Sequence, residues 1–306
     1  MYRETMTAQN FLVIGAGKAG TTSLYEYLRQ HPDVYMSPVK ETNFFALSAG
    51  SDQPVDEQFF PVRSFEDYCR LFRGAGDQHA IGEASPVYLY APGAPERIRQ
   101  RLPDVKLVAV LRNPVERAFS SYLMYCNLGV EDRTFEQAIR EEQAGAGNEQ
   151  LSGRWHYLEA GLYDRHLRRY LDVFDRSEIK VFLFEELTSD PASVLAALFR
   201  FLGVNEDFLP DTNVTFNPSG KPRNRLVHWL LQKRPITTAI KDRLPESIRS
   251  SISAGVASAH QRKLVKTQMP SAVRKQQVNN FRDDIEQQGQ LMDRDHTQWL
   301  AGRAIP

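Results

Sequence analysis

Phe11-Leu12-Val13-Ile14-Gly15-Ala16-Gly17-Lys18-Ala19-Gly20-Thr21-Thr22 is the stretch on which the fold turns. Its four leading apolar residues have the length and composition of a strand buried on both faces. A glycine-rich turn follows, and beyond it Leu24, Tyr25 and Leu28 recur at helical spacing. Strand, glycine-rich turn and helix in that order aim successive backbone N–H groups and a helix N-terminus at one point, which suits a phosphate. Lys18 brings a mobile cation to this cradle. The glycines leave room for close approach to the backbone, and Thr21 and Thr22 offer hydroxyls at the helix start. A turn that merely joins strand to helix is the competing account at this point.

Working outward, the first helix should end near His31-Pro32, because proline disfavours helix at the residue before it. Val34-Tyr35-Met36 and Ala80-Ile81-Gly82-Glu83-Ala84 read as short strands, and Lys106 to Leu111 is the clearest buried strand. A further strand is expected over Lys180 to Leu187. Ser64 is placed to cap a helix running to Phe72, Pro114 to begin one, and Asp190-Pro191 to begin one that ends at Gly203. Residues 134–150 read as a polar helix giving way to a loop. The stripe Tyr163, Leu167, Tyr170, Leu171 and Phe174 is read as core. Residues 226–306 read as helical, with breaks at Pro235, Pro245 and Pro270. The order predicts an α/β fold with a mainly parallel central sheet and helices on both faces. One domain over 1–306 is expected, with a core over about 8–230 and a helical C-terminal extension over about 231–306.

The chain has 306 residues, 42% hydrophobic and 25% charged, enough to bury a substantial core. Lys+Arg and Asp+Glu are both 38, so no overall basic field points to nucleic acid. Cys69 and Cys126 lie far apart, without metal spacing, and read as reduced thiols. Neither an apolar leader nor a stretch near the roughly 18 apolar residues of a membrane span is seen, so a soluble, cytoplasmic protein is expected.

A nucleotide-triphosphatase loop has the form G-x-x-x-x-G-K-[ST]. Here Gly15 and Gly20 keep that separation, but Thr21 stands at the lysine position and the lysine has moved to Lys18. This loop resembles the 5′-phosphosulfate loop of sulfotransferases that use 3′-phosphoadenosine 5′-phosphosulfate (PAPS). Arg112-Asn113-Pro114, followed by Arg117 and Ser120, resembles the 3′-phosphate loop of the same family. Lys40-Glu41 before Phe44-Phe45 resembles a segment of the Golgi heparan-sulfate sulfotransferases and their bacterial relatives. Arg274 to Leu300 resembles the family's C-terminal helix ending in a Trp-Leu pair. The resemblance runs from Phe11 to Leu300 and implies a P-loop-like three-layer fold.

By that resemblance, Gly17, Lys18, Ala19, Gly20, Thr21 and Thr22 hold the 5′ end of PAPS, and Arg112 and Ser120 hold its 3′-phosphate. Lys221 and Arg223, with Arg225 beside them, are candidates for a loop closing over the nucleotide. Glu41 is the implied general base on the acceptor, and Lys18 stabilises the departing PAP, with no metal required. Aromatic neighbours disfavour the charged form of a carboxylate such as Glu41, and a neighbouring lysine opposes that. Glu83 and His156 are the fallback bases. Arg117 reads as structural or solvated, and His31 as structural. Relatives often carry lysine where this chain has Ala84, which makes heparan sulfate a poor acceptor. A hydroxyl or amine of a glycan, lipid-linked sugar or small metabolite is expected instead, in a pocket formed by loops 46–63 and 127–160. A P-loop kinase or NTPase, and a catalytically silent PAPS-binding protein, are the alternatives. The first lacks the lysine after Gly20 and has arginine where a magnesium-binding aspartate would be useful.

Overall fold

A computed structural model describes residues 9–47, 59–145, 156–213, 221–222, 264–265 and 268–301. In chain order the first half gives β1 (Phe11–Gly15), α1 (Thr21–Leu28), β2 (Val34–Met36), α2 (Phe65–Arg70), β3 (Ala80–Ala84), α3 (Ala94–Arg101) and β4 (Lys106–Leu111). Then come α4 (Pro114–Asn127), α5 (Phe135–Gln143), α6 (Tyr163–Leu171), β5 (Ile179–Leu183), α7 (Phe184–Ser189) and α8 (Pro191–Leu202). The five strands form one parallel sheet in the order β2-β3-β1-β4-β5. This order explains the apolar run at the start: β1 lies in the middle, paired on both edges, and Phe11, Leu12, Val13 and Ile14 are wholly buried.

The chain leaves β1 toward the β2 edge but leaves β4 toward β5, so β1 and β4 flank a topological switch point. The crevice beyond the carboxyl ends of such strands is where open α/β sheets bind ligands. Right-handed crossovers in opposite directions put α1 on one face and α3 to α6 on the other.

Local chemistry sets the element ends. The Ser64 hydroxyl accepts from Asp67 N–H at the start of α2, Asn113 caps α4 through Val115 and Glu116, and Thr134 forms a capping box with Gln137. His31 is structural, as expected: its ring meets the Asn205 carbonyl and the Asp33 N–H and packs against Phe199 and Phe208.

Three expectations are corrected. The strand ends at Leu183 rather than running to Leu187, because the Glu186 carboxylate accepts from Leu183 N–H and starts α7 there. The C-terminal segment is not wholly helical: β7 (Leu264–Val265) pairs antiparallel with β6 (Lys221–Pro222). The expected helix ending at Leu300 is two, α9 (Ser271–Met292) and α10 (Thr297–Leu300), parted where Asp293 adopts φ 51°. These helices share the main buried cluster through Phe281, Ile285 and Trp299. Asp284 of α9 accepts the Asp164 N–H in the first turn of α6, a helix whose own N-cap residue supplies no side chain.

Candidate active site

The turn after β1 depends on glycine at two positions. A Cβ on Gly15 would stand 2.6 Å from Leu89 Cβ, and Gly20 sits at φ 86° as the N-cap of α1, supplying no side-chain cap. Lys18 is also left-handed, at φ 69°. The first turn of α1 contains no acidic residue, so the positive end of the helix dipole is left for another anion. Thr21 is buried at the helix start, with Thr22 next to it.

Lys18 turns its ammonium inward, 3.7 Å from Met124 Sδ on α4. Burial, and then the guanidinium of Arg112, lower its pKa from 10.5 to about 8, while Glu41 opposes the shift. Arg112 leaves the end of β4, donates to the Lys18 carbonyl oxygen at 3.0 Å, and lies over the Phe184 ring with its guanidinium carbon 4.6 Å from the centroid. Two motifs 94 residues apart thus meet at one point. Ser120 is buried on the second turn of α4. Arg117 is not solvated: it is buried and donates to the carbonyls of His156 and Tyr157.

Glu41 lies across the crevice, on the loop leaving β2. Its N–H donates to the Ala84 carbonyl at 2.9 Å, its φ is 63°, and its carboxylate pairs with Lys40 at 2.5 Å. The side chain is 49% exposed, so the two phenylalanines do not enclose it. Phe45 turns inward onto Tyr68 and Tyr88 instead. Glu83, one of the fallback bases, is completely buried with both oxygens taken by hydroxyls, which removes it from contact with an acceptor. His156 packs its ring against Tyr90, 5.4 Å between centroids. Ala84 is wholly buried and presents no side chain to solvent.

A cavity of about 730 Å³ opens beside Arg112 at the ends of β4 and β5, walled by Phe184, Glu185, Thr188 and Arg294. Phe184 carries no sequence signal of its place here, since an apolar residue after β5 reads as more strand, and neither does the inward contact of Met124. The Lys221 side chain, and Arg223 and Arg225 entirely, lie outside the described residues, as do residues 48–58 and 146–155 of the two proposed acceptor loops. Among the described residues no helix is long and apolar enough to cross a membrane.

A five-stranded parallel sheet flanked by helices, with a glycine-rich loop after its central strand, defines the P-loop-like α/β class. Within it the chain belongs to the sulfotransferase-domain family, whose profile matches residues 8–288. It is 31% identical over 207 residues to human heparan sulfate glucosamine 3-O-sulfotransferase 3B1, covering 67% of this chain and 48% of that protein. It is 32% identical over 206 residues to mouse heparan sulfate glucosamine 3-O-sulfotransferase 6, covering 67% and 55%. The chain therefore spans about half the length of these relatives. The crystal structure of a sulfotransferase from Alicyclobacillus acidocaldarius superimposes with a TM-score of 0.71 at 32% identity, covering 95% of this chain and 98% of that one.

Proposed function

We propose that this protein transfers a sulfuryl group from PAPS to a hydroxyl or amine, a sugar hydroxyl being the first acceptor to test. The observation that carries this reading is the junction of Arg112 with the Lys18 loop, which brings two cations from separate strand ends to one crevice. The residues present fit such a donor: the α1 N-terminus is free of acidic side chains and of a side-chain cap, and Lys18 and Arg112 supply charge for two anionic groups. Bound there, PAPS supplies an activated sulfuryl group and leaves as PAP.

In this reading Gly17, Lys18, Ala19, Gly20, Thr21 and Thr22 surround the 5′ end, and Arg112 and Ser120 take the 3′-phosphate. Lys18, charged at neutral pH, stabilises negative charge growing on the leaving phosphate. Glu41 stands on the exposed side of the crevice, within electrostatic reach of Lys18, and its carboxylate accepts the acceptor's proton. The names of the heparan sulfate relatives support a sugar acceptor. Alanine at position 84, where relatives often carry lysine, leaves one cation fewer for an acceptor as densely anionic as theirs.

Calorimetric titration with PAP, and with ATP in the presence of magnesium, tests the binding half. Labelled PAPS offered with neutral glycans and small hydroxylated compounds tests the transfer. PAP binding without magnesium and labelled product are expected. Preference for magnesium–ATP would sink the proposal.

A further inference from the structure

We propose that Glu83 is a positioning residue, whose buried carboxylate orients the hydroxyls of Thr42, Ser85 and Tyr88 so that they hold the loop carrying Glu41. The functional part of this inference rests on Glu41 being the base; the holding of the loop does not.

Glu83 lies near the carboxyl end of β3, completely buried. Its Oε2 accepts from the Ser85 hydroxyl at 2.7 Å, and its Oε1 from Tyr88 at 2.7 Å and Thr42 at 3.3 Å. A hydroxyl that gives its proton to the carboxylate keeps its lone pairs for other donors. Ser85 Oγ spends one on the Asn43 N–H at 3.0 Å, and Thr42 Oγ1 receives the Phe44 N–H at 3.4 Å. The Ala84 carbonyl takes the Glu41 N–H in the same region. The end of β3 thus binds the amides of residues 41 and 43 directly, and that of residue 44 through Thr42. The loop needs such holding, because Glu41 at φ 63° and Asn43 at φ 53° both adopt a conformation that side-chain-bearing residues avoid.

The arrangement is tightest with an ionised Glu83, which accepts from all three hydroxyls. A protonated carboxyl must donate its own hydrogen, yet the hydroxyls around it already donate. One hydroxyl would have to accept that hydrogen and turn its own O–H elsewhere, as Thr42 can toward Tyr88 at 2.9 Å, and the loop N–H sharing its oxygen would be held more weakly. The groups facing Glu83 are Tyr88 from the 3₁₀ turn at Pro86–Leu89, Tyr68 from α2 and Lys40 from the loop. Both phenols are pushed well above 10 by burial and remain neutral, and Lys40 favours the ionised carboxyl. Burial raises the Glu83 carboxyl to about 7 against the pull of its three hydroxyl partners, so its proton exchanges near neutral pH.

The test uses the ligand-free protein first. Amide exchange at Asn43 and Phe44, corrected for intrinsic rates, is followed between about pH 6 and 8.5. Protection at both amides is expected to rise through about pH 7 in the wild type, and this step is expected to vanish in Glu83→Gln. Ser85→Ala retains the carboxylate but removes the acceptor of the Asn43 N–H. It should lose protection at Asn43 and keep the step at Phe44. No step in the wild type, or a step that survives in Glu83→Gln, overturns the proposal; the wild-type profile decides even if that variant does not fold. The second readout is PAPS turnover, measured as slow hydrolysis by water. Glu83→Gln should lower it at least about tenfold, with PAP affinity within about twofold. A loosened loop with unchanged turnover would leave the holding of the loop intact and overturn its link to Glu41.

Discussion

Replacing Lys18 by methionine should stabilise the protein and cripple it together. Methionine keeps an unbranched stem of similar length against Met124 but removes the charge. The lysine's pKa falls from 10.5 to about 8, first through burial and then through Arg112. A folded-state value below the unfolded one means that the folded chain binds fewer protons between those values. The residue's contribution to stability therefore rises with pH across that window. At about 1.4 kcal/mol per pK unit, keeping Lys18 charged costs roughly 3 kcal/mol near pH 7 and roughly 1 kcal/mol near pH 9.5. Lys18→Met should thus gain about 1–3 kcal/mol in urea unfolding near pH 7, and most of that gain should be gone near pH 9.5. Turnover of PAPS should fall about a hundredfold or more, because a cation acting on the developing charge is lost. A variant no more stable than wild type at neutral pH, or one whose gain is the same at both pH values, refutes the electrostatic argument. Normal turnover refutes the assignment of the loop.

Arg112→Ala should weaken PAP by about tenfold or more, as expected for one charge-assisted hydrogen bond of roughly 1.5–3 kcal/mol. Adenosine 5′-phosphosulfate, which lacks the 3′-phosphate, should weaken much less, and equal losses by calorimetry would assign Arg112 elsewhere. Glu41→Gln should bind PAP normally and transfer about a hundredfold to ten-thousandfold more slowly in single-turnover assays with saturating acceptor. Transfer within a few-fold of wild type would remove Glu41 as base. Arg117→Ala strands the buried carbonyl of Tyr157 and the partly buried one of His156, so its urea midpoint should report a loss of about 2–4 kcal/mol. An unchanged midpoint would show those bonds to be dispensable.

The sequence alone determined the pieces whose causes are local. The bounds of β2, β3 and β4 follow from apolar runs punctuated by turn residues. The starts of α2, α4 and α8 follow from Ser64, Pro114 and Asp190, since a cap or a proline acts on the backbone within three residues. The phosphate cradle is equally local, because strand, glycines, lysine and helix are contiguous. Only the tertiary structure decided that β1 occupies the centre of the sheet, and hence that the loops after β1 and β4 share one crevice, because strand order depends on pairings made across long chain separations. The same holds for Arg117, whose carbonyl partners come from 39 and 40 residues away, and for Arg112, which spans 94 residues to reach Lys18. Phe184 misled the sequence reading because an apolar residue after a strand looks like more strand until Glu186 folds back to cap Leu183. Glu83 carried no signal of its burial, since a carboxylate enters a core only where hydroxyls from other elements converge on it. Here they come from Thr42, Ser85 and Tyr88, and the fold, not the local sequence, brings them together.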